Sequence, residues 1–164
     1  MREKLVIVPR RRSLGKKILT IVLFVVTCLL ILLTIAMPVI FMIPAILFGL
    51  GWYFATYQTD IEYEYTYYDG EFRFAKIRAK RRRKHLGQVA MDDVTIIAPK
   101  GDPSVYKYEN DQQMNYRDLT SADAGAKVYE IIFKGDKGMC RYEFEPDEDM
   151  LDAVSIKYPR AVKK

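Results

Sequence analysis

Two patterns of hydrophobic and polar positions divide the chain. From residue 18 to residue 59 there is no Asp, Glu, Lys, Arg or His, a run about twice the roughly 20 apolar residues that span the hydrocarbon core of a bilayer. It predicts two helical spans, over residues 18–36 and 44–58. Pro38 and Pro44 mark the reversal between them, because proline removes a backbone donor and disfavours helix in the residue before it. The apolar run continues well past residue 36, so the first span is expected to stay in the mature protein rather than be cleaved as a signal peptide. In the second span Ala45, Gly49, Gly51 and Ala55 offer small residues four apart, a spacing that lets another helix approach closely; they are expected to pack on the first span, the plain alternative being that small residues are simply common in membrane helices. Trp52, Tyr53 and Tyr57 gather towards the end that returns to charged sequence, where amphipathic rings prefer the membrane interface.

Beyond residue 60 the period changes to two. Ile61, Tyr63, Tyr65 and Tyr67 alternate with Glu62, Glu64 and Thr66, the signature of a half-buried strand. Asp69-Gly70 supplies a hairpin turn, since this pair tolerates the positive φ angles of a type I′ loop. A return strand follows over 71–79, then strands over 85–89 and 94–98, the last stopped by Pro99. Residues 100–126 turn polar and predict a long loop or short irregular elements, of the kind that often carries binding. Strands over 128–133 and 139–144 flank a Gly-rich loop at 134–138. A final helix is expected from Pro146, in its first turn, to Pro159, with Asp147, Glu148 and Asp149 at its positive end and Leu151, Val154 and Tyr158 as its apolar stripe.

Charge refines the picture. The net charge is +5, yet Arg2, Lys4, Arg10, Arg11, Arg12, Lys16 and Lys17 stand against Glu3 alone before the apolar run, so the excess belongs to residues 1–17. That segment reads as a basic tail retained on the cytoplasmic side. Two spans then leave both termini cytoplasmic at the cell membrane, with residues 60–164 as a cytoplasmic domain. Cys28 and Cys140, separated by a membrane leaflet, predict no disulfide framework.

Catalytic chemistry has little to draw on. His85 is the only histidine and sits in a basic stretch, so His-based metal cages are absent, and no phosphate loop, dinucleotide glycine pattern or nucleophile elbow is present. No cofactor or metal is expected. The feature that exceeds background is Lys76, Arg78, Lys80, Arg81, Arg82, Arg83 and Lys84. Close behind a membrane span, these cations suit anionic lipid headgroups, each contributing about 1 kcal/mol near such a surface. A solvated strand edge is the plain alternative. Nucleic acid is disfavoured, because aromatics for base stacking are missing between residues 80 and 84.

The order of elements resembles that of membrane-anchored bacterial PH-like domains: a membrane hairpin, a Tyr-rich strand, an Asp-Gly turn, a basic strand, Asp92-Asp93-Val94 leading into a strand, a later hairpin and a C-terminal helix. The most distinctive stretches run from Tyr63-Glu64-Tyr65 to Lys84 and from Phe144-Glu145-Pro146-Asp147 to Pro159. The resemblance implies an α+β fold, a transmembrane helical hairpin followed by a small antiparallel sheet or barrel capped by a helix. It also implies a seventh strand beside the six legible ones, which the polar region before Val128 must hide or replace. The family so resembled is of unknown function and supplies no site residues. The expectation is therefore a non-enzymatic membrane-surface or protein-interaction module. Its alternative is an accessory subunit of a larger membrane transporter or enzyme complex, or a homo-oligomer, packed through the small residues of the second span. A small-ligand sensor or enzyme with residues 100–126 as a lid ranks last.

Overall fold

Strand pairing begins before the apolar run. In the computed structural model, which describes residues 3–109, 111, 113–136 and 138–163, the segment Lys4–Pro9 is strand β1, although its position groups it with the basic tail. Arg2 of that tail, two residues of the 100–126 segment, Lys137 of the 134–138 loop and Lys164 lie outside the described residues. The described chain forms two compact units: Arg11–Ile61 with Arg78–Arg81, and the remainder.

The first unit is helical. Helix α1 spans Leu14–Ala36 and α2 spans Pro38–Thr59, with Met37 alone between them. The reversal is thus much tighter than two prolines six residues apart suggest. Pro38 occupies the first turn of α2, where an amide donor is not needed, and Pro44 lies inside the helix. Thr27 of α1 and Ala45 of α2 are buried between the helices, and the Phe24 and Trp52 rings meet at 5.4 Å. The Thr27 hydroxyl donates to the Leu23 carbonyl at 2.7 Å, so its burial leaves no unpaired polar group. Outside this seam the helices expose their large side chains, Val39 to 88 %. Both are long and apolar enough to cross a membrane.

The second unit holds two four-stranded sheets. β2 (Ile61–Tyr68), β3 (Glu71–Arg78) and β4 (Arg82–Ala90) follow β1 in the order β1-β2-β3-β4. β1 runs antiparallel to β2 with Lys4 opposite Tyr67 and Pro9 opposite Glu62. At the β2–β3 turn Asp69 and Gly70 both take positive φ, 48° and 85°, as the Asp-Gly pair predicts. A Cβ on Gly70 would lie 2.9 Å from the Tyr158 hydroxyl, so the turn excludes any larger residue without displacement.

After a 3₁₀ turn at Met91–Asp93 come β5 (Val94–Pro99), the one-turn helix α3 (Tyr106–Glu109), β6 (Asn115–Asp118), β7 (Tyr129–Gly135) and β8 (Gly138–Phe144). They are ordered β5-β7-β8-β6, and β6 runs parallel to β8. The polar region therefore does contain a strand. Its remainder is a packed cover: Val105 is fully buried with Ala98 and Ile132, and Tyr108 and Met114 pack against them. The Tyr65 hydroxyl donates to the Leu119 carbonyl, and Ser121 donates through its amide and hydroxyl to Glu145. Among the described residues, these contacts tie parts of the 100–126 segment to the two sheets and to Glu145, ahead of the C-terminal helix.

The main core is aromatic. Tyr65, Phe72 and Phe74 of the first sheet meet Phe144 of the second at centroid distances of 5.7–5.8 Å, mostly edge to face, an arrangement worth about 0.5–1.5 kcal/mol per pair beyond area burial. Helix α4 (Glu148–Lys157) buries Met150, Leu151 and Val154. Its cap is Asp147, whose carboxylate accepts from the Met150 amide at 2.7 Å, so Pro146 stands just outside the helix instead of in its first turn. Beyond it the chain returns to β5, where the Ile97 amide donates to the Ala161 carbonyl and the Lys163 amide to the Ile97 carbonyl.

Candidate anion-binding surface

The basic stretch lies on the β3–β4 hairpin, and its seven members meet different fates. At the tip, Ala79 and Lys80 take φ of 48° and 55° without being glycine, a left-handed geometry that costs a non-glycine residue roughly 1–2 kcal/mol. Two hydrogen bonds hold it: the Arg81 amide to the Arg78 carbonyl at 3.1 Å, and the Ala79 amide to the Asp60 carbonyl at 2.8 Å. Asp60 follows the last residue of α2, and the Arg12 guanidinium lies 3.9 Å from its carboxylate. The tip, the end of α2 and the chain just before α1 thus converge within the helical unit. Arg78, Lys80, Arg81 and Arg82 are exposed, and no carboxylate pairs with them among the described residues.

Arg83 is committed elsewhere. Its guanidinium lies 2.6 Å from the Glu64 carboxylate, whose side chain is only 6 % exposed while that of Arg83 is 65 % exposed. It serves as the counterion of a carboxylate buried in the first sheet. Lys76 is half-buried, its ammonium 5.8 Å from the centroid of the Tyr63 ring. Lys76 and Lys84, with His85, line one cavity.

The small residues of α2 divide between two faces. Ala45 is buried, and a Cβ on Gly49 would meet the Thr27 methyl at 3.5 Å, so both turn towards α1. Gly51 has open space where its Cβ would be, and Ala55 is half-buried. Trp52 packs on Phe24, while Tyr53 stands exposed and stacks on Tyr57 at 6.4 Å. Cys28 is exposed on α1 and Cys140 is buried in β8; both are free thiols. Among the described residues no group of three or more His, Cys, Asp or Glu side chains is arranged to hold a metal ion.

Within the sheet unit, other charged residues come together unannounced by any motif. Arg10, directly after β1, donates to the Tyr63 hydroxyl and to Asp118 Oδ2, each at 2.8 Å. Burial alone would raise the Asp118 pKa, but hydrogen bonds from Thr120 and the Arg10 charge outweigh it and hold the carboxyl below its ordinary value. Burial likewise opposes the Arg10 charge, and Tyr63 and Asp118 more than restore it. Arg117 of β6 donates to the Leu86 carbonyl at 2.7 Å and lies 5.3 Å from the Tyr142 ring centroid. The sequence signal for these residues was weak, because each partner lies on a different strand.

A family model described as Bacterial PH-like domain (DUF6106) matches residues 4–164. No curated protein and no solved structure matches the chain.

Proposed function

The chain belongs to the Bacterial PH-like domain (DUF6106) family, and we propose that it is a membrane-anchored, non-catalytic docking module with both termini cytoplasmic. In this reading α1 and α2 cross the cell membrane as a two-span hairpin, and the exposed cations of the β3–β4 hairpin engage anionic headgroups. One contact carries it: the hydrogen bond from the Ala79 amide to the Asp60 carbonyl joins the cationic tip to the polar end of two apolar helices. The pairing of β1 with β2 supports a shared side for both ends of the hairpin, since these strands are the chain immediately before α1 and after α2. Arg10–Arg12, Lys16 and Lys17 add the cytoplasmic bias. With about 1 kcal/mol per cation, Arg78, Lys80, Arg81 and Arg82 together contribute on the order of 4 kcal/mol at low salt.

The test uses the full chain in nanodiscs of phosphatidylcholine, with or without about one-third phosphatidylglycerol. Trypsin cleavage after residues 78–82, located by mass spectrometry, should slow at least tenfold in the anionic discs and recover in high salt. Equal cleavage rates in both lipids would refute headgroup docking.

A second reading rests on the open face at Gly51. A helix of another membrane protein, or of a second copy, fits against it, which makes the chain an accessory subunit of a larger membrane complex.

A further inference from the structure

We propose that the gap between β4 and β6 receives an extended peptide segment of a partner protein as an added strand, with an acidic residue of that segment set beside Arg117 and Lys84. Two cavities, of about 630 and 340 Å³, make up the gap. One wall runs from Lys84 to Val89 and the other from Met114 to Leu119. The walls run in opposite directions, because Val89 shares the larger cavity with Met114 and Lys84 shares the smaller with Leu119. Their length suits about six residues of strand, or ~20 Å. The inference goes beyond headgroup docking and does not depend on it.

Strand edges carry the argument. The sheets end in β1 and β4, and in β5 and β6. The β5 edge is closed by the returning C-terminal segment, where the Ile97 amide donates to the Ala161 carbonyl at 2.7 Å and the Lys163 amide to the Ile97 carbonyl at 2.8 Å. Helix α4 lies beside β1, joined to it by Lys4 and Asp149 at 2.8 Å. β4 and β6 have no such cover among the described residues and face each other across the gap. An open edge presents unpaired amides and carbonyls that template a further strand. The Leu86 carbonyl shows that β4 turns such groups to the gap: it accepts from the Arg117 guanidinium at 2.7 Å. A side chain reaching over from β6 thus answers an acceptor that a neighbouring strand would take.

The chemistry of the gap defines its guest. Buried Phe133, Cys140 and Tyr142 line the larger cavity, a place for an apolar side chain of a strand whose alternate residues point inward. In the smaller cavity Asp118 is neutralised by Arg10 at 2.8 Å, and Lys76 is already engaged, its ammonium over the Tyr63 ring. Arg117 meets the Leu86 carbonyl and the Tyr142 ring, and neither it nor Lys84 pairs with a carboxylate among the described residues. At the far end Asp93 and Asp136 stand with Lys134, so the basic excess lies at one end only. A carboxylate is a stronger acceptor for a guanidinium than a neutral carbonyl is. Binding therefore exchanges partners: Arg117 turns to the acidic residue of the peptide, and the Leu86 carbonyl is released to accept from a peptide amide.

The test uses the full chain in pure phosphatidylcholine nanodiscs, where anionic headgroups play no part, and a displayed library of random octapeptides. Strand-forming sequences with a glutamate or aspartate near one end should be enriched. The strongest binder is then synthesised and its affinity measured by fluorescence anisotropy. Methylating its backbone amides one at a time should weaken binding at least tenfold at alternate positions only, the mark of strand pairing. Arg117→Gln should weaken it at least tenfold and Arg81→Gln should not. Once the peptide's acidic residue is replaced by its amide, Arg117→Gln should have no further effect. Hydrogen exchange of the native chain should slow over residues 84–89 and 114–119 when the peptide is added, a readout that needs no variant. No enriched octapeptide, binding indifferent to amide methylation, or exchange slowed only elsewhere would overturn the proposal. Self-association of the chain that the same peptide reverses would assign the gap to a second copy and overturn a foreign partner. Loss of tip protection from trypsin, by contrast, would sink headgroup docking alone.

Discussion

Substituting Arg83 should damage the fold, whereas substituting its neighbours should not, although all belong to one basic run. Breaking a buried ion pair by removing one partner costs about 3–5 kcal/mol when both groups are sequestered. Here Glu64 is sequestered but the Arg83 side chain is 65 % exposed, so water compensates part of the loss and about 1.5 kcal/mol is expected for Arg83→Gln. For a domain of about 100 residues, 1 kcal/mol moves Tm by about 4–8 °C, giving a fall of about 6–12 °C. Arg81→Gln touches no partner and should stay within about 0.5 kcal/mol. Adding Glu64→Gln to Arg83→Gln removes the stranded charge and should restore most of the loss. Near-ultraviolet circular dichroism of the full chain in zwitterionic detergent reports the aromatic core directly. Equal Tm values for Arg83→Gln and Arg81→Gln would refute the reasoning. The result also governs how headgroup docking is tested, because reversing Arg81, Arg82 and Arg83 together would confuse a lost membrane contact with a weakened sheet.

Gly49→Leu should destabilise the helical hairpin by about 1–3 kcal/mol through overpacking against Thr27, read as faster proteolysis between the helices in detergent. Gly51→Leu should leave that resistance unchanged, because its Cβ points into open space. Asp118→Asn should matter at neutral pH and cease to matter in acid. The carboxyl is held below its unfolded value of about 3.9, so its stabilisation is present above that pH and is lost as pH falls through the folded pKa. Because Arg10 and Asp118 are about one-third exposed, the increment is expected to stay below about 1 kcal/mol after solvent screening. A Tm difference between Asp118→Asn and the native chain that fails to narrow between pH 6 and pH 3 would contradict this assignment.

Signals that are local and periodic made much of this fold legible. The Tyr63, Tyr65 and Tyr67 alternation identified β2, Asp69-Gly70 its turn, and the uncharged run both helices. The failures were non-local. Lys4–Pro9 is nearly all apolar, with no alternation to mark it, and its partner strand lies beyond both helices. Asn115–Asp118 is polar throughout and owes its conformation to a parallel neighbour, β8. Val105 carries no flag in a polar stretch, yet it closes a small core. Within the candidate site the charge run was obvious, while the division of labour inside it was not. Glu64 and Arg83 are on different strands, and Arg10, Tyr63, Arg117 and Asp118 meet only after both sheets have formed.

The placement of β1 has a consequence for how the protein is made. The sheet's first strand leaves the ribosome before the helices, and its partner leaves after them, so the pair closes only if the intervening hairpin returns the chain to the side from which it departed. If α1 and α2 cross the membrane as proposed, a nascent chain in which one helix fails to insert would strand Lys4–Pro9 across the bilayer from Ile61–Tyr68. β2 would then become a long edge rich in tyrosine, open to wrong pairings and to quality-control proteases. Under that proposed topology, completion of the sheet would serve as a check on insertion, because only molecules threaded in this way could pair β1 with β2.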